Sequence, residues 1–208
     1  MKPPIRVLIV EDHFLARIAL HGVLDAQSGF QIVGETGVGE DAVRLYREHR
    51  PDVVIMDLKL IGVSGFDAIE GIRREHPAAR ILVLSNFQGS EDVYRAMRCG
   101  ARGYLTKDAD GGQLVEAIRT VAAGGRFIPK SLESRLAERC PGADITPREK
   151  DVLRLLAEGL GTADIAHHLQ IAEKTVRIHI GNLLEKLGAH DRTHALVIAL
   201  HRGMIHLD

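Results

Sequence analysis

Residues Ile5–Val10 read Ile-Arg-Val-Leu-Ile-Val and continue directly into Glu11-Asp12. Their length and β-branched composition predict a buried strand, and the two carboxylates mark the end of that strand. Four more short apolar runs follow within the first 125 residues, separated by helical patterns. The predicted strands are 5–10, 31–35, 52–57, 80–85 and 103–105, and the predicted helices lie near 13–26, 39–49, 65–75, 90–99 and 111–123.

This alternation predicts an α/β domain over residues 1–125, with a doubly wound, five-stranded parallel sheet. The pattern weakens over 126–144, which we predict to be a linker containing a short helix near 131–139. Only helical periodicity follows over 145–208, so we expect a small all-α domain there. Thr146-Pro147-Arg148-Glu149 is typical of a helix start with a capping box. The predicted helices lie near 147–158, 162–169, 173–187 and 191–202.

Composition excludes several classes of protein. The two cysteines among 208 residues, Cys99 and Cys140, are too few for a disulfide scaffold or a zinc ribbon. No apolar run approaches the roughly 20 residues of a membrane span, so we expect a cytoplasmic protein with no membrane partner. Residues 1–125 carry 15 Lys and Arg against 17 Asp and Glu, and residues 145–208 carry 8 against 8. Net charge therefore gives no sign of nucleic-acid binding, and the local arrangement must decide.

Polar side chains follow four of the five predicted strands. Strand one ends in Glu11-Asp12, strand three in Asp57 and strand four in Ser85, and Lys107 follows strand five. Ligands of open parallel sheets bind at these carboxyl ends. Clustered carboxylates with no His or Cys suit Mg²⁺, and a lysine suits a phosphate group. The set predicts a carboxylate that attacks phosphorus, although any one of these residues alone could be a helix cap or a turn residue.

These residues make the first domain resemble the receiver domain of two-component response regulators. The resemblance covers residues 5 to about 123 and rests on Glu11, Asp12, Asp57, Ser85, Tyr104 and Lys107. It implies a flavodoxin-like fold with Asp57 as the phosphoacceptor and as part of a Mg²⁺ site. It also implies that Asp12 binds the ion directly, that Glu11 acts through water, and that the backbone carbonyl of Lys59 completes the ligands.

The same resemblance implies a switch. Lys107 pairs with the phosphoryl group, the hydroxyl of Ser85 moves towards it, and the ring of Tyr104 follows. One departure from the family pattern lies in the loop 59–65, which lacks the Met-Pro and the second acidic or Asn residue common there. This loop borders the acceptor, so we expect it to affect the phosphorylation rate and metal affinity.

A glycine pattern offers an alternative. Residues 37–42, Gly-Val-Gly-Glu-Asp-Ala, fit a dinucleotide-binding fingerprint, with Asp57 twenty residues beyond Gly37. Against this, Glu40 and Asp41 crowd the helix start where a pyrophosphate would bind. We therefore favour the interpretation that Glu40 and Asp41 stabilise the start of the helix over the interpretation of a cofactor site.

Residues 162–187 predict two helices joined by a tight turn. Val176, Ile180, Leu183 and Leu187 form one apolar stripe, and the opposite face carries side chains that can reach bases or phosphates. A solvated face would explain the same pattern, and Glu185 favours that explanation. The predicted DNA-contacting residues are Lys174, Thr175, Arg177, Ile178, His179 and Asn182.

The motifs over about 145–206 resemble the LuxR-type helix-turn-helix, and the whole chain resembles the NarL/FixJ family of response regulators. They are residues 145–149, 152–153, 165–166, 173–177, 179 and 182–183. Three positions depart from the family pattern: Gln170 replaces a turn glycine, Ala172 lacks a capping side chain, and Gly181 lies inside the recognition helix. We expect these positions to weaken the helices without abolishing DNA binding.

The last predicted helix, 191–202, carries more apolar surface than a three-helix core needs. The resemblance implies that this helix pairs two DNA-binding domains, and the residues we assign to dimerisation are Ala195, Leu196, Ile198 and Ala199. His190 and His194 have a spacing that could bind zinc, but we favour surface histidines because no acidic or Cys partner completes a recognised metal-binding motif.

The resemblance implies a transcription regulator controlled by Mg²⁺-dependent phosphorylation of Asp57. The expected partners are a sensor histidine kinase, double-stranded DNA and a second copy of the chain, with RNA polymerase a further candidate. We expect no enzymatic activity beyond the receiver's own phosphoryl transfer and dephosphorylation. The alternative is a DNA-binding dimer that uses its receiver only for association and ignores phosphorylation.

Overall fold

The computed structural model describes residues 3–137 and 145–206 of the chain. Contacts divide them into two compact units. The amino-terminal unit contains most of the residues up to Glu133, and the carboxy-terminal unit contains the residues from Ile145 onward. No helix in the described ranges is both long and apolar enough to cross a membrane.

One parallel sheet forms the centre of the amino-terminal unit. Its strands are β1 (Ile5–Val10), β2 (Phe30–Thr36), β3 (Val53–Met56), β4 (Ile81–Ser85) and β5 (Gly103–Thr106), in the order β2-β1-β3-β4-β5. All four neighbouring pairs are parallel. β3 and β4 are buried throughout, as expected of strands covered on both faces. The predicted doubly wound α/β fold is therefore confirmed.

Five helices connect and cover these strands. On one face of the sheet Val7 and Ile9 of β1 pack in a core with Leu20, Leu24 and Ile118. Neighbouring residues of a strand point to opposite faces, so Leu8 and Val10 face the other way. The helices are α1 (Phe14–Asp25), α2 (Gly39–His49), α3 (Gly65–Glu75), α4 (Ser90–Cys99) and α5 (Gly111–Ala122).

The predicted linker 126–144 contains the short helix α6 (Lys130–Ala137). Positions 138–144, including Cys140, lie outside the described residues. The limits assigned to the two domains and to the linker remain predictions.

The carboxy-terminal unit is entirely helical in its described residues, which confirms the predicted class. Its helices are α7 (Pro147–Ala157), α8 (Thr162–Leu169), α9 (Glu173–Leu187) and α10 (Arg192–Arg202). The predicted capping box is present, with the Thr146 side chain accepting from the Glu149 amide and the Glu149 carboxylate accepting from the Thr146 amide. The apolar stripe of α9, from Val176 to Leu187, packs into a shared core with α7.

Glu149 also joins two helices. It is 2% exposed, and its Oε2 lies 2.6 Å from Nζ of Lys186 on α9. Burial by itself raises the pKa of Glu149, but hydrogen bonds from Lys186 and Thr146 outweigh burial and hold the pKa below its ordinary value. The ion pair therefore stabilises the unit while the carboxylate is charged.

Candidate functional site

Three carboxylates meet at the carboxyl edge of the sheet. The ligand oxygens of Glu11, Asp12 and Asp57 all lie within 4.8 Å of one another. Parallel pairing explains their meeting, because the amide of Asp57 donates to the carbonyl of Val10 at 2.8 Å. Glu11 and Asp57 are buried, and Asp12 is half-buried. The structure thus brings together the three carboxylates that the sequence placed at two different strand ends.

Lys107 reaches into the same cluster. Its Nζ lies 2.7 Å from Oε2 of Glu11 and 2.7 Å from Oδ2 of Asp57. Burial by itself lowers the pKa of Lys107, but the hydrogen bonds to Asp57 and Glu11 outweigh burial and raise the pKa. Burial also raises the pKa of Glu11, and the charge of Asp57 adds to that effect while Lys107 opposes it.

The electrostatics of this cluster fit a divalent cation. Three carboxyl side chains converge on a single lysine in a site where Glu11 and Asp57 are buried. The nearby ligand atoms are carboxylate oxygens, which Mg²⁺ prefers. In the described part of the chain, no other group of three or more His, Cys, Asp or Glu residues is arranged to hold a metal. His190 and His194 stack with their ring centroids 5.1 Å apart and belong to no such group.

Asp57 is held from its backbone side. The amide of Leu58 donates to Oδ1 at 2.6 Å, and the amide of Lys59 donates to the same atom at 3.4 Å. Gly65 begins α3 against this turn, and a Cβ added there would lie 1.9 Å from the carbonyl oxygen of Asp57. The glycine is therefore required for the helix to pass the acceptor. The role predicted for the Lys59 carbonyl remains a prediction.

Two residues that contact the acidic cluster were not predicted from the sequence. Nη1 of Arg17 donates to the carbonyls of Glu11 at 2.6 Å and Asp12 at 3.0 Å, and the amide of His13 donates to Oε1 of Glu11 at 3.0 Å. His13 occupies the N-cap of α1 without a side-chain bond, so Asp12 is not the cap of this helix. An arginine one turn into a helix carries no local signal of this role.

Ser85 and Tyr104 are linked through Phe87. The amide of Phe87 donates to Oγ of Ser85 at 3.3 Å, and the hydroxyl of Tyr104 donates to the carbonyl of Phe87 at 2.8 Å. Ser85 and Tyr104 are both buried. The amide of Lys107 donates to the carbonyl of Ser85 at 3.0 Å, which fixes β4 beside the lysine.

The glycine pattern at 37–42 serves packing. The amide of Gly39 donates to the carbonyl of Ile61 at 3.3 Å, and a Cβ at this glycine would lie 2.1 Å from the carbonyl oxygen of Val63. The start of α2 is therefore occupied by the loop 59–65. This contact leaves the dinucleotide alternative without structural support, because a pyrophosphate would need the same amide.

On α9 the predicted DNA-contacting residues share one accessible face. Lys174, Arg177, Ile178 and Asn182 are exposed, and Thr175 and His179 are half-exposed. Ile178 is 53% exposed, which is unusual for a large apolar side chain. Arg177 lies 2.7 Å from Glu173 in an exposed ion pair one helical turn away.

The three unusual positions differ in their consequences. Gln170 adopts φ +52, so a side chain does occupy the left-handed turn. Ala172 caps α9 without a side-chain bond. A Cβ at Gly181 would meet no atom within 4 Å. Arg148, which the sequence places only in the motif that begins α7, donates from Nη2 to the carbonyl of Leu169 at 2.6 Å and closes the end of α8.

The residues assigned to dimerisation need a correction. Ala195 and Ala199 are 2% and 0% exposed and belong to the core of the unit, so they cannot face a second copy in this fold. Leu196 and Ile198 are partly buried against that core. Val197, which was not predicted, is 46% exposed.

Comparison with known proteins gives two family matches. The family described as "Response regulator receiver domain" matches residues 7–119, and "Bacterial regulatory proteins, luxR family" matches residues 143–199. The nitrate/nitrite response regulator protein NarP of Escherichia coli is 38% identical over 206 residues, covering 96% of each chain. The nitrate/nitrite response regulator homolog of Haemophilus influenzae is 37% identical over 202 residues, covering 95% of this chain and 97% of that protein.

Solved structures agree with these matches. RcsB from Salmonella enterica serovar Typhimurium, bound to promoter DNA in the presence of the phosphomimetic BeF3⁻, superposes with a TM-score of 0.72 at 25% identity. That match covers 93% of this chain and 97% of RcsB. A LuxR-family response regulator from Aurantimonas sp. gives a TM-score of 0.62 at 38% identity, covering 65% of this chain and 96% of that one.

Proposed function

The chain belongs to the NarL/FixJ type of two-component response regulators, transcription regulators that join a receiver to a LuxR-type DNA-binding domain, and from this premise we propose that phosphorylation of Asp57 controls its binding to DNA. The observation that carries the proposal is the buried cluster in which Lys107 lies 2.7 Å from Asp57 beside Glu11 and Asp12. The proposed partners are a sensor histidine kinase, double-stranded DNA and a second copy of the chain, with RNA polymerase contacted at promoters in the cytoplasm.

In the proposed reaction a carboxylate oxygen of Asp57 attacks the phosphorus of a phosphohistidine or a small phosphodonor. The new O–P bond forms as the bond from phosphorus to the donor breaks, and the donor leaves with that electron pair. Lys107 is placed to balance charge on the phosphoryl oxygens. The receiver would thus promote its own phosphorylation and dephosphorylation, and we propose no other enzymatic activity.

Glu11, Asp12, Asp57 and the carbonyl of Lys59 would hold a magnesium ion. When bound, the ion supplies positive charge that offsets repulsion between the carboxylates and an incoming phosphoryl group. The contacts of Arg17 and His13 hold the Glu11-Asp12 turn in place for this purpose.

The switch would run through the backbone of Phe87. Movement of the Ser85 hydroxyl towards the phosphoryl group would weaken its bond to the Phe87 amide. The hydroxyl of Tyr104 donates to the carbonyl of the same residue, so the Tyr104 ring would change its position as well. Phosphorylation can shift only a pre-existing equilibrium, so both arrangements must already be populated.

DNA recognition would use the exposed face of α9. Lys174 and Arg177 can reach phosphates or guanine, Asn182 can pair with adenine, and Ile178 can contact a thymine methyl group. Thr175 and His179 flank this face, and a second copy would double the contact area.

Labelling with a radioactive small phosphodonor tests the acceptor. The wild-type chain should incorporate phosphate in the presence of Mg²⁺, and Asp57→Asn should abolish incorporation. Asp25→Asn, an exposed carboxylate at the end of α1, is the matched control and should label normally. Undiminished labelling of Asp57→Asn would reject the assignment.

A second candidate is a DNA-binding dimer that ignores phosphorylation. The loop 59–65 favours it, because this segment departs from the family pattern and contacts the start of α2. If beryllofluoride changes neither the DNA affinity nor the oligomeric state of the wild-type chain, this candidate replaces the first.

A further inference from the structure

A cavity at the edge of the sheet opposite the acidic cluster has no part in the proposed chemistry. Its volume is about 280 Å³. It lies beside the start of β5, between the ends of α3 and α4 and the segment that follows α5. The residues that line it are Arg73, Met97, Gly100, Ala101, Arg102 and Arg126.

Three arginines share this cavity with no acidic residue in its lining. Within residues 3–137 and 145–206, no ion pair is formed by Arg73, Arg102 or Arg126. Arg73 donates to the carbonyls of Pro77 and Ala79, and Arg102 donates to the carbonyl of Gly124 at 3.2 Å. Backbone carbonyls orient a guanidinium group but leave its charge uncompensated. The cavity therefore concentrates positive charge.

The arginine on α3 is also fixed before any ligand arrives. Gly100 has φ +107, and a Cβ there would lie 2.6 Å from Nε of Arg73. The glycine lets the guanidinium lie directly against the loop, while Pro77 and Ala79 hold it from the other side. A donor group that is already ordered loses less entropy when it binds an anion.

We propose that this cavity binds a small phosphate-bearing metabolite. A guanidinium group offers paired N–H donors that match phosphate oxygens, and each of these arginines keeps donors beyond those used by the carbonyls. Met97 and Ala101 provide an apolar wall for the rest of the molecule. The volume is near the lower end of the range for small-molecule sites, which favours a compact ligand over a polymer.

Calorimetry with inorganic pyrophosphate tests the site on the full-length chain. EDTA replaces Mg²⁺, so that the acidic cluster cannot bind the anion through a metal. The wild-type chain should bind one pyrophosphate, more weakly as salt rises. Arg102→Gln and Arg126→Gln should each lower the affinity about tenfold, the loss expected for one hydrogen bond to a charged group.

A control separates this site from other positive charge. Arg47→Gln removes an arginine paired with Glu75 on the surface. This variant should bind pyrophosphate as the wild type does, and thermal unfolding should show that all variants are folded. The proposal is overturned by absence of binding, by an equal loss in Arg47→Gln, or by binding of random duplex DNA, and not pyrophosphate, that depends on Arg102 and Arg126.

Discussion

Lys107 and Arg177 show how differently the two functional surfaces of this chain are built. Lys107 is largely buried and contacts carboxylates that lie 96 and 50 residues away in sequence. Arg177 is mostly exposed, and its ion-pair partner Glu173 lies one helical turn away. The phosphoryl site is assembled by the whole sheet, whereas the DNA-contacting face belongs to a single helix.

The two surfaces therefore differ in how closely fold and function are coupled. In a buried cluster of charges, a change at one residue leaves other charged groups unsatisfied. Side chains on an exposed helix face do not pack in the core. Substitutions there should therefore change the affinity for DNA and leave the stability of the fold nearly unchanged. Five substitutions test this contrast, beginning at a glycine packed against the acceptor and ending on the exposed side of α9.

Gly65→Ala should have the largest effect on stability. A Cβ at this position would lie 1.9 Å from the carbonyl oxygen of Asp57, so the backbone must move. We expect the free energy of unfolding of the amino-terminal unit to fall by about 3 kcal/mol. Gly22→Ala is the control, since a Cβ there meets nothing within 4 Å and should be neutral or stabilising. Equal denaturation midpoints for the two variants would contradict the packing argument.

Lys107→Gln should lower the rate of phosphoryl incorporation at least about 100-fold, as when one charge-stabilising donor is removed from an active site. Lys107 contacts Asp57 at 2.7 Å in the wild-type chain. A glutamine at this position would no longer offset charge on the phosphoryl group. Arg44→Gln, an exposed cation on α2, should leave the rate unchanged. A rate within threefold of wild type would remove Lys107 from the mechanism.

Glu149→Gln tests whether burial of the substituted residue, and not the domain in which it lies, determines the loss of stability. We expect a loss of about 2 kcal/mol in the carboxy-terminal unit, because the buried side chain at position 149 loses its charge and with it the ion pair to Lys186. The pKa of Glu149 is lowered, so its contribution is present above 4.5, the ordinary value, and is lost as pH falls through the folded-state pKa. The free energy of unfolding, measured from pH 7 to pH 3, should decrease less in Glu149→Gln than in wild type. An identical pH dependence would show that the pair contributes nothing.

Arg177→Ala should weaken specific DNA binding about tenfold, the discrimination expected of one good base contact. Its melting temperature should stay within about 2 °C of wild type, because an exposed ion pair contributes little. Arg154→Ala, an exposed arginine on α7 with an ion pair of the same spacing, is the control for DNA titrations. A large drop in melting temperature would show that Arg177 stabilises the helix, which would contradict this expectation.

Gly181→Ala should give the smallest effect, a gain of about 0.5–1 kcal/mol in stability. The added methyl group meets no atom within 4 Å, and alanine is the better helix former. Chemical denaturation of the wild type and the variant measures the difference. A loss of stability would mean that α9 needs a glycine at this position.

The same contrast explains what the sequence could predict. Glu11, Asp12 and Asp57 were found because each ends a buried strand, and parallel topology brings such ends together. The capping box at Thr146 was found because its residues lie within one turn. Local pattern and topology were sufficient for these features.

Other roles depend on backbone approaches that no local pattern records. Arg17 contacts two carbonyls, and Gly39 and Gly65 make room for neighbouring carbonyl groups. The assignment of Ala195 and Ala199 to dimerisation failed because a helix with apolar residues on several sides does not reveal which of them the core uses.

Phosphorylation control is tested by the affinity of the full chain for a selected DNA site, measured with and without beryllofluoride and Mg²⁺. We predict that the phosphate mimic raises the affinity or alters the oligomeric state of the wild-type chain, with an affinity change of at least about fivefold. Asp57→Asn should show no such change. Equal affinities and equal oligomeric states of the wild-type chain under both conditions would contradict phosphorylation control.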